Sequence, residues 1–207
     1  MLRREAMSEA DRLKWDDRYS AGAYAERQYP TQLLADWEAK LHRGRALDVA
    51  CGAGRNSLFL AAAGWQVDAI DISPVGLARA EKMAASRGLR IHWIEADLEV
   101  DAAPVLSRGR YDLIVMTRYV NRLLFPLLPA SLVCGGTLIC EQHLDSTEDV
   151  SGPKSPDFRM RHNELLRAVT GNKGKDHRVL YYREGLVTDP DGRDAALAQL
   201  VMRRKCG

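Results

Sequence analysis

No apolar run in this sequence is long enough to cross a bilayer, which takes roughly 20 such residues, so no membrane partner is expected. The stretch from Met1 to Asp17 is charged and polar and lacks an apolar h-region. It does not read as a secretory signal, and Met7 offers an alternative start. The four cysteines (Cys51, Cys134, Cys140 and Cys206) include no CxxC pair, so no metal site is expected. Their plain reading is as reduced thiols in a cytoplasmic protein. Charge of one sign is not in excess: 30 basic against 28 acidic residues leave +2, too mild to indicate nucleic acid. Internal repeats and low-complexity tracts are missing.

What is present is a foldable core. Hydrophobic residues make up 46% of the 207, which excludes a disordered chain and suits one α/β domain. The aromatic, charged segment Leu13 to Tyr19 precedes the first clear helix, which is expected to start at an N-cap Thr31, carry Leu34, Trp37 and Leu41 on one face, and stop at Gly44. Strands are expected over Ala46–Ala50, Gln66–Ile70, Arg90–Ile94, Tyr111–Met116 and Thr137–Cys140. Helices are expected over Asn56–Ala63, from Ser73-Pro74 to Gly88, and through Leu123, Leu124, Leu127, Leu128 and Leu132, with Gly135-Gly136 as a turn. This β-α-β-α order implies a doubly wound α/β fold on a parallel sheet. Leu144 to Asp157 is polar with Gly and Pro, and reads as a loop or lid. A helix over Asn163–Val169 and two last strands, Val179–Tyr182 and Leu197–Met202, complete the order, with Asp189-Pro190-Asp191-Gly192 as turn chemistry between the strands.

Three features follow three consecutive strands. The first is Leu47-Asp48-Val49-Ala50-Cys51-Gly52-Ala53-Gly54-Arg55-Asn56-Ser57. Gly52 and Gly54 let backbone approach a ligand, and the N–H groups at the following helix start favour an anionic or polar group. Asp48 presents an acceptor from inside the strand. The second is Asp71, which ends the next strand and can accept both hydroxyls of a ribose. The third is Asp97 in Glu95-Ala96-Asp97-Leu98, able to accept from an adenine amino group. All three face one sheet edge and together describe an adenosine pocket with a polar tail site.

On these blocks, together with Trp15–Tyr19, Tyr111–Val115 and Gly135–Ile139, the sequence resembles class I S-adenosylmethionine-dependent methyltransferases, closest to small bacterial ones of the tellurite-resistance and thiopurine groups. The resemblance spans residues 15 to about 142, and Phe158–Leu166 is similar to that family's segment before its last strands. It implies a mostly parallel seven-stranded sheet with an antiparallel C-terminal strand, residues 1–30 as a cap over the cofactor site, and residues 31–207 as the methyltransferase domain. It implies that Asp48 with Ala50, Gly52 and Gly54 holds the methionine part of the cofactor, that Asp71 binds ribose, and that Ile72, Asp97 and Leu98 meet the adenine. Thr117 and Arg118 would lie near the sulfonium, and Trp15, Arg18 and Tyr19 would fold over the site, with Arg18 a candidate for a carboxylate. The sequence departs from the pattern at Ala50, where Gly is usual, and at Cys134, where Pro commonly precedes the Gly-Gly turn. No Asn-Pro-Pro-Tyr motif follows the fourth strand, which argues against amino methylation of adenine or glutamine.

The substrate of the implied enzyme is less legible than its cofactor. His143 and Tyr119 are the catalytic candidates, with His162 another histidine in reach, though a lone histidine at a strand end is more often structural. Arg159, Arg161 and Arg167 form either an attractant for an anionic acceptor or a solvated basic face. With no compelling base, the expected acceptor is a small molecule with a soft or already nucleophilic atom. The alternatives are a non-catalytic protein that binds the cofactor, and an NAD-dependent oxidoreductase, against which stand Ser57 at the third fingerprint position and the unexplained Asp48 and Asp97.

Overall fold

The structure, a computed structural model, describes residues 2–100, 106–171 and 176–206. Helices are α1 (Leu2–Ser20), α2 (Gln32–Glu38), α3 (Arg55–Ala62), α4 (Pro74–Ser86), α5 (Leu128–Ser131) and α6 (Glu164–Thr170). Strands are β1 (Arg45–Val49), β2 (Gln66–Asp71), β3 (Ile91–Glu95), β4 (Tyr111–Thr117), β5 (Leu132–His143), β6 (His177–Thr188) and β7 (Asp194–Arg204). They form one seven-stranded sheet in the order β3-β2-β1-β4-β5-β7-β6. β1 to β5 pair in parallel, and β7 runs antiparallel to both its neighbours. The order reverses beside β1, so the carboxyl ends of β1 and β4 flank the crevice where ligands enter such sheets.

The central strands are apolar throughout because both faces are covered. In β4, Ile114 and Met116 belong to one core cluster with Leu128 of α5 and Leu165 and Val169 of α6. Leu113 and Val115 belong to the other, with Leu33 and Leu34 of α2, Leu60 of α3 and Leu77 of α4. This is the alternation a pleated strand imposes.

Four local expectations are corrected. The segment before Thr31 contains a helix, α1, whose register brings Arg12 to Glu9 at 2.6 Å and to Asp16 at 2.8 Å. α2 closes at Ala39, well before Gly44, and Thr31 makes no side-chain cap. The leucine-rich helix shrinks to the one turn of α5: Pro126 and Pro129 remove backbone donors and disfavour helix at the residues before them. Gly135-Gly136 is no turn but part of β5, where the pairing with β4 shifts register between Tyr111 and Leu113. A Cβ on Gly136 would lie 3.0 Å from the Tyr111 and Val133 carbonyl oxygens, so this position takes glycine because backbone approaches backbone.

Cys134 and Cys206 are joined as a disulfide, with Cα atoms 4.9 Å apart, so the expectation of four reduced cysteines is corrected for this pair. Cys51 and Cys140 are free and buried. The reason is register: β5 and β7 pair Thr137 with Arg203, and extending that antiparallel ladder brings Cys134 opposite Cys206. The bond closes a sequence separation of 72 residues, a loop whose cross-linking restricts the unfolded chain by about 4 kcal/mol. Reduction is therefore expected to lower the denaturant midpoint, by up to that free energy. The same shift should follow from Cys134→Ser, and thiol titration of the unfolded, unreduced chain should find only the two buried cysteines.

Candidate functional site

The chain leaves β1 through a turn in which Ala50, Gly52 and Gly54 have φ of 54°, 57° and 78°. This left-handed path aims the Gly52 N–H at Asp71, whose Oδ2 accepts it at 2.7 Å, while Asp71 Oδ1 accepts from Ser73 N at 2.9 Å. One carboxylate thus ties the exits of β1 and β2 together. Burial pushes the Asp71 carboxyl above its ordinary range against these backbone bonds. Asp48, one turn behind, is buried and accepts from Ser57 Oγ at 2.5 Å. Burial raises its pKa to about 7 despite that bond.

α1 lies across this turn. Asp16 accepts from Ser73 Oγ at 2.5 Å at the start of α4, and Trp15 stacks on Tyr19 with ring centroids 5.8 Å apart. Tyr19 is buried; a Cβ on Gly52 would stand 2.5 Å from its hydroxyl, and one on Gly76 2.9 Å from its ring. Arg18 turns to its own neighbours, 4.7 Å from the Trp15 ring and 3.2 Å from the Tyr24 hydroxyl. On the β3 side, Asp97 accepts from Glu99 N at 2.8 Å in a local turn and Leu98 is buried. Ile72 is half-buried beside Asp71.

The β4–β5 side is polar and more charged than the sequence suggested. Asn56, read in the sequence only as a helix-start residue, accepts from Thr31 N at 3.0 Å and donates to Thr117 Oγ1 at 3.0 Å. It anchors α3 to the end of β4. Arg118, at φ 58°, donates to Glu141 at 3.2 Å and to Asp189 at 2.7 Å. Glu141, Asp189 and Arg27, which pairs with Asp191 at 3.1 Å, were not singled out in the sequence. The Asp189–Gly192 turn signal was the only hint. Tyr119 accepts from Asn121 at 3.3 Å, and burial pushes its hydroxyl up to about 12. His143 is 8% exposed, and its Nδ1 has no partner. Burial first, then Arg118, Arg159, Arg27 and Arg55, lower its pKa to about 3.

The Arg159–Arg161–Arg167 group is split. Arg159 is buried and donates to the Pro153 and Leu144 carbonyls at 2.7 and 3.0 Å, whereas Arg161 and Arg167 are exposed. His162 sits apart in the turn before α6, 2.8 Å from Glu184 of β6. Among the described residues no group of side chains suits a metal ion, and no helix is long and apolar enough to cross a membrane.

The comparisons with known proteins bear on the fold and the family. A family model described as a methyltransferase domain matches residues 46–126, from β1 through the three acidic features to the turn beyond β4. An uncharacterized protein of Mycobacterium tuberculosis is 44% identical over 78 residues, 37% of this chain and 27% of that protein. Ribosomal RNA small subunit methyltransferase C of Alcanivorax borkumensis is 31% identical over 105 residues, 46% of this chain and 31% of that protein. The chain thus matches less than a third of the length of either relative. Among solved structures, TehB from Haemophilus influenzae aligns with TM-score 0.66 and 25% identity, over 84% of this chain and 61% of that one. A Methanosarcina mazei structure described as a SAM-dependent methyltransferase aligns at TM-score 0.65 and 16% identity, over 86% of this chain and 100% of that one, a likeness of fold.

Two expectations test the turn. Ala50→Gly should stabilise the chain by about 0.5–1 kcal/mol, since a left-handed alanine costs more than glycine's extra unfolded-state freedom; an unchanged thermal midpoint would contradict this. Asp48, with a folded pKa raised above its unfolded value, holds its proton more tightly when folded. Its contribution to stability is full at low pH and is lost as pH rises from about 4 to about 7. Asp48→Asn, which still accepts from Ser57, should therefore gain stability relative to wild type across that window in urea unfolding.

Proposed function

We propose that this chain, a member of the S-adenosylmethionine-dependent methyltransferase family, transfers the cofactor's methyl group to a small-molecule acceptor that is already nucleophilic. The observation that carries the cofactor half is the shared edge: the left-handed glycine turn, Asp71 tying β1 to β2, and Asp97 beyond β3 stand in sequence at the carboxyl ends of three adjacent strands. The donor set fits an adenosine carrying an amino-acid tail. Asp71 has lone pairs beyond its two backbone bonds for ribose hydroxyls, Ile72 and Leu98 offer apolar contact to a base, and the turn lets backbone approach the tail closely. Asp48, through Ser57, holds the turn from beneath. Trp15, Arg18 and Tyr19 of α1 cover the site, with residues 1–30 acting as its cap. The antiparallel β7 between β5 and β6 departs from the strand order 3-2-1-4-5-6 of dinucleotide-binding sheets, which disfavours the oxidoreductase reading.

When bound, the sulfonium supplies a methyl group already activated for displacement. The chain's own task is to align the acceptor and exclude water. Thr117 and Arg118 are positioned by Asn56 and Glu141 at the end of β4, beside that reaction path. A proton acceptor is hard to find there. His143, with a pKa near 3, is a weak base, and Tyr119, near 12, stays protonated at neutral pH. A base tuned to its task sits near the working pH. The absence of one at either catalytic candidate favours an acceptor that needs no deprotonation, such as a thiolate or a metalloid, in keeping with the resemblance to the tellurite-resistance group.

Isothermal titration calorimetry with S-adenosylhomocysteine tests the cofactor assignment. Wild type is expected to bind at micromolar Kd. Asp71→Asn should bind at least tenfold more weakly, from the loss of charge-assisted hydrogen bonds to the ribose. Absence of heat with wild type, alongside binding of NAD(H), would overturn the reading.

A further inference from the structure

Arg55 is the residue this account has not used. It is the first residue of α3, directly after Gly54. Its side chain makes no hydrogen bond or ion pair among the described residues, and its Nη1 is buried without a partner. A guanidinium cannot shed its charge, and an unpaired buried charge is costly. The charges that reach it are Arg118, Glu141, Asp189 and Arg27, and each is committed: Glu141 and Asp189 to Arg118, and Arg27 to Asp191. Asp48, also within reach, is bonded to Ser57.

A second orphan lies in the same neighbourhood. His143 ends β5, is more than nine-tenths buried, and has no hydrogen bond on its Nδ1. The connection between the two is geometric. Asn56, next to Arg55, bonds Thr117 at the end of β4; Thr117 pairs with Glu141 on β5; and His143 is two residues further on. Gly152 packs against the orphan nitrogen of His143, since a Cβ there would stand 2.6 Å from Nδ1, so the Nδ1 edge faces backbone and not the cleft. Arg55 lines a small pocket with Tyr24, Arg27, Gln28, Ala53 and Arg79, and the charges of Glu141 and Asp189 reach it from the β5 and β6–β7 side.

We propose that Arg55 is an anion subsite for the acceptor, which therefore carries a carboxylate or an oxyanion along with its nucleophilic atom. The planar guanidinium matches such a group with two parallel hydrogen bonds. This rests on the methyltransferase reading of the same cleft. An orphan charge retained at the expense of stability is also what a binding site that trades stability for function shows.

The test is calorimetry on the S-adenosylhomocysteine complex of the full chain, with mercaptoacetate and 2-mercaptoethanol as matched anionic and neutral thiols. Wild type is expected to bind mercaptoacetate roughly tenfold or more tightly than 2-mercaptoethanol, as a charge-assisted bond predicts. Arg55→Met should abolish that difference, and Arg55→Lys should restore part of it. Arg55→Met should melt no lower than wild type, because it removes an unpaired charge. Equal affinity for the two thiols, including no measurable binding of either at millimolar concentration, overturns the proposal, as does a preference that survives Arg55→Met. The cofactor's own carboxylate is a second source of the same chemistry. If Arg55→Met weakens S-adenosylhomocysteine but not 5′-methylthioadenosine, which lacks that carboxylate, the subsite belongs to the cofactor and the acceptor assignment falls. Failure of wild type to bind S-adenosylhomocysteine at all would instead remove the methyltransferase reading.

Discussion

The bond from the Gly52 N–H to the Asp71 carboxylate is the constraint on which the site depends. It requires a left-handed turn immediately after β1, and that turn sets where α3 begins. The start of α3 in turn presents Asn56 to Thr117 and leaves the Arg55 side chain without a partner among the described residues. The same carboxylate accepts from Ser73 N, and the start of α4 receives Asp16 from α1. A single side chain therefore couples the exits of β1 and β2, the starts of α3 and α4, and the docking of α1. Because the bond lies in a buried environment, an unmet Gly52 N–H would cost more than the bond contributes, so these elements are held in one arrangement.

Buried charge is handled differently at the two edges of the sheet. At the amino-terminal edge, Asp68 receives Arg45 at 2.8 Å, the Tyr111 hydroxyl at 3.0 Å, His92 at 3.1 Å and Arg110 at 3.5 Å. Burial alone would raise its carboxyl, yet those bonds hold it below the ordinary range. That is a satisfied, structural network. At the carboxyl edge, Asp48 and Asp71 are raised, His143 is lowered, and Arg55 and His143 keep unpaired nitrogens. Satisfied charge at one edge and unsatisfied charge at the other is the pattern expected when one end of a fold carries stability and the other carries binding.

Much of this was legible from the residues alone, and the failures have physical causes. Strand–turn–helix periodicity located β1 to β4 within a residue or so, because runs buried on both faces and the glycines between them are local signals. The leucine pattern at 123–132 misled because apolar spacing counts side chains, while Pro126 and Pro129 act on the backbone. Gly135-Gly136 read as a turn because glycine is permissive in both settings; only the register of β5 against Tyr111 shows that a close backbone approach is the reason for it. α1 was hidden because charged residues such as Arg12 pair along its own surface, and Tyr19, the deeply buried residue among its described side chains, meets the distant Gly52 and Gly76.

The sequence by itself determined the fold class and the gathering of left-handed and acidic residues at one sheet edge, since strand periodicity, left-handed glycines and acids at strand ends are properties of residues near one another in the chain. Only the tertiary structure decided the disulfide, where β5–β7 register sets Cys134 against Cys206 across 72 residues. Only it decided, too, which ionisable groups stay paired. Arg118 reaches Asp189 across 71 residues and is satisfied, whereas Arg55, beside the most recognisable motif in the chain, is not. Pairing and burial are sums over neighbours that sequence spacing does not specify, and they set how much each charge costs and therefore what it is free to bind.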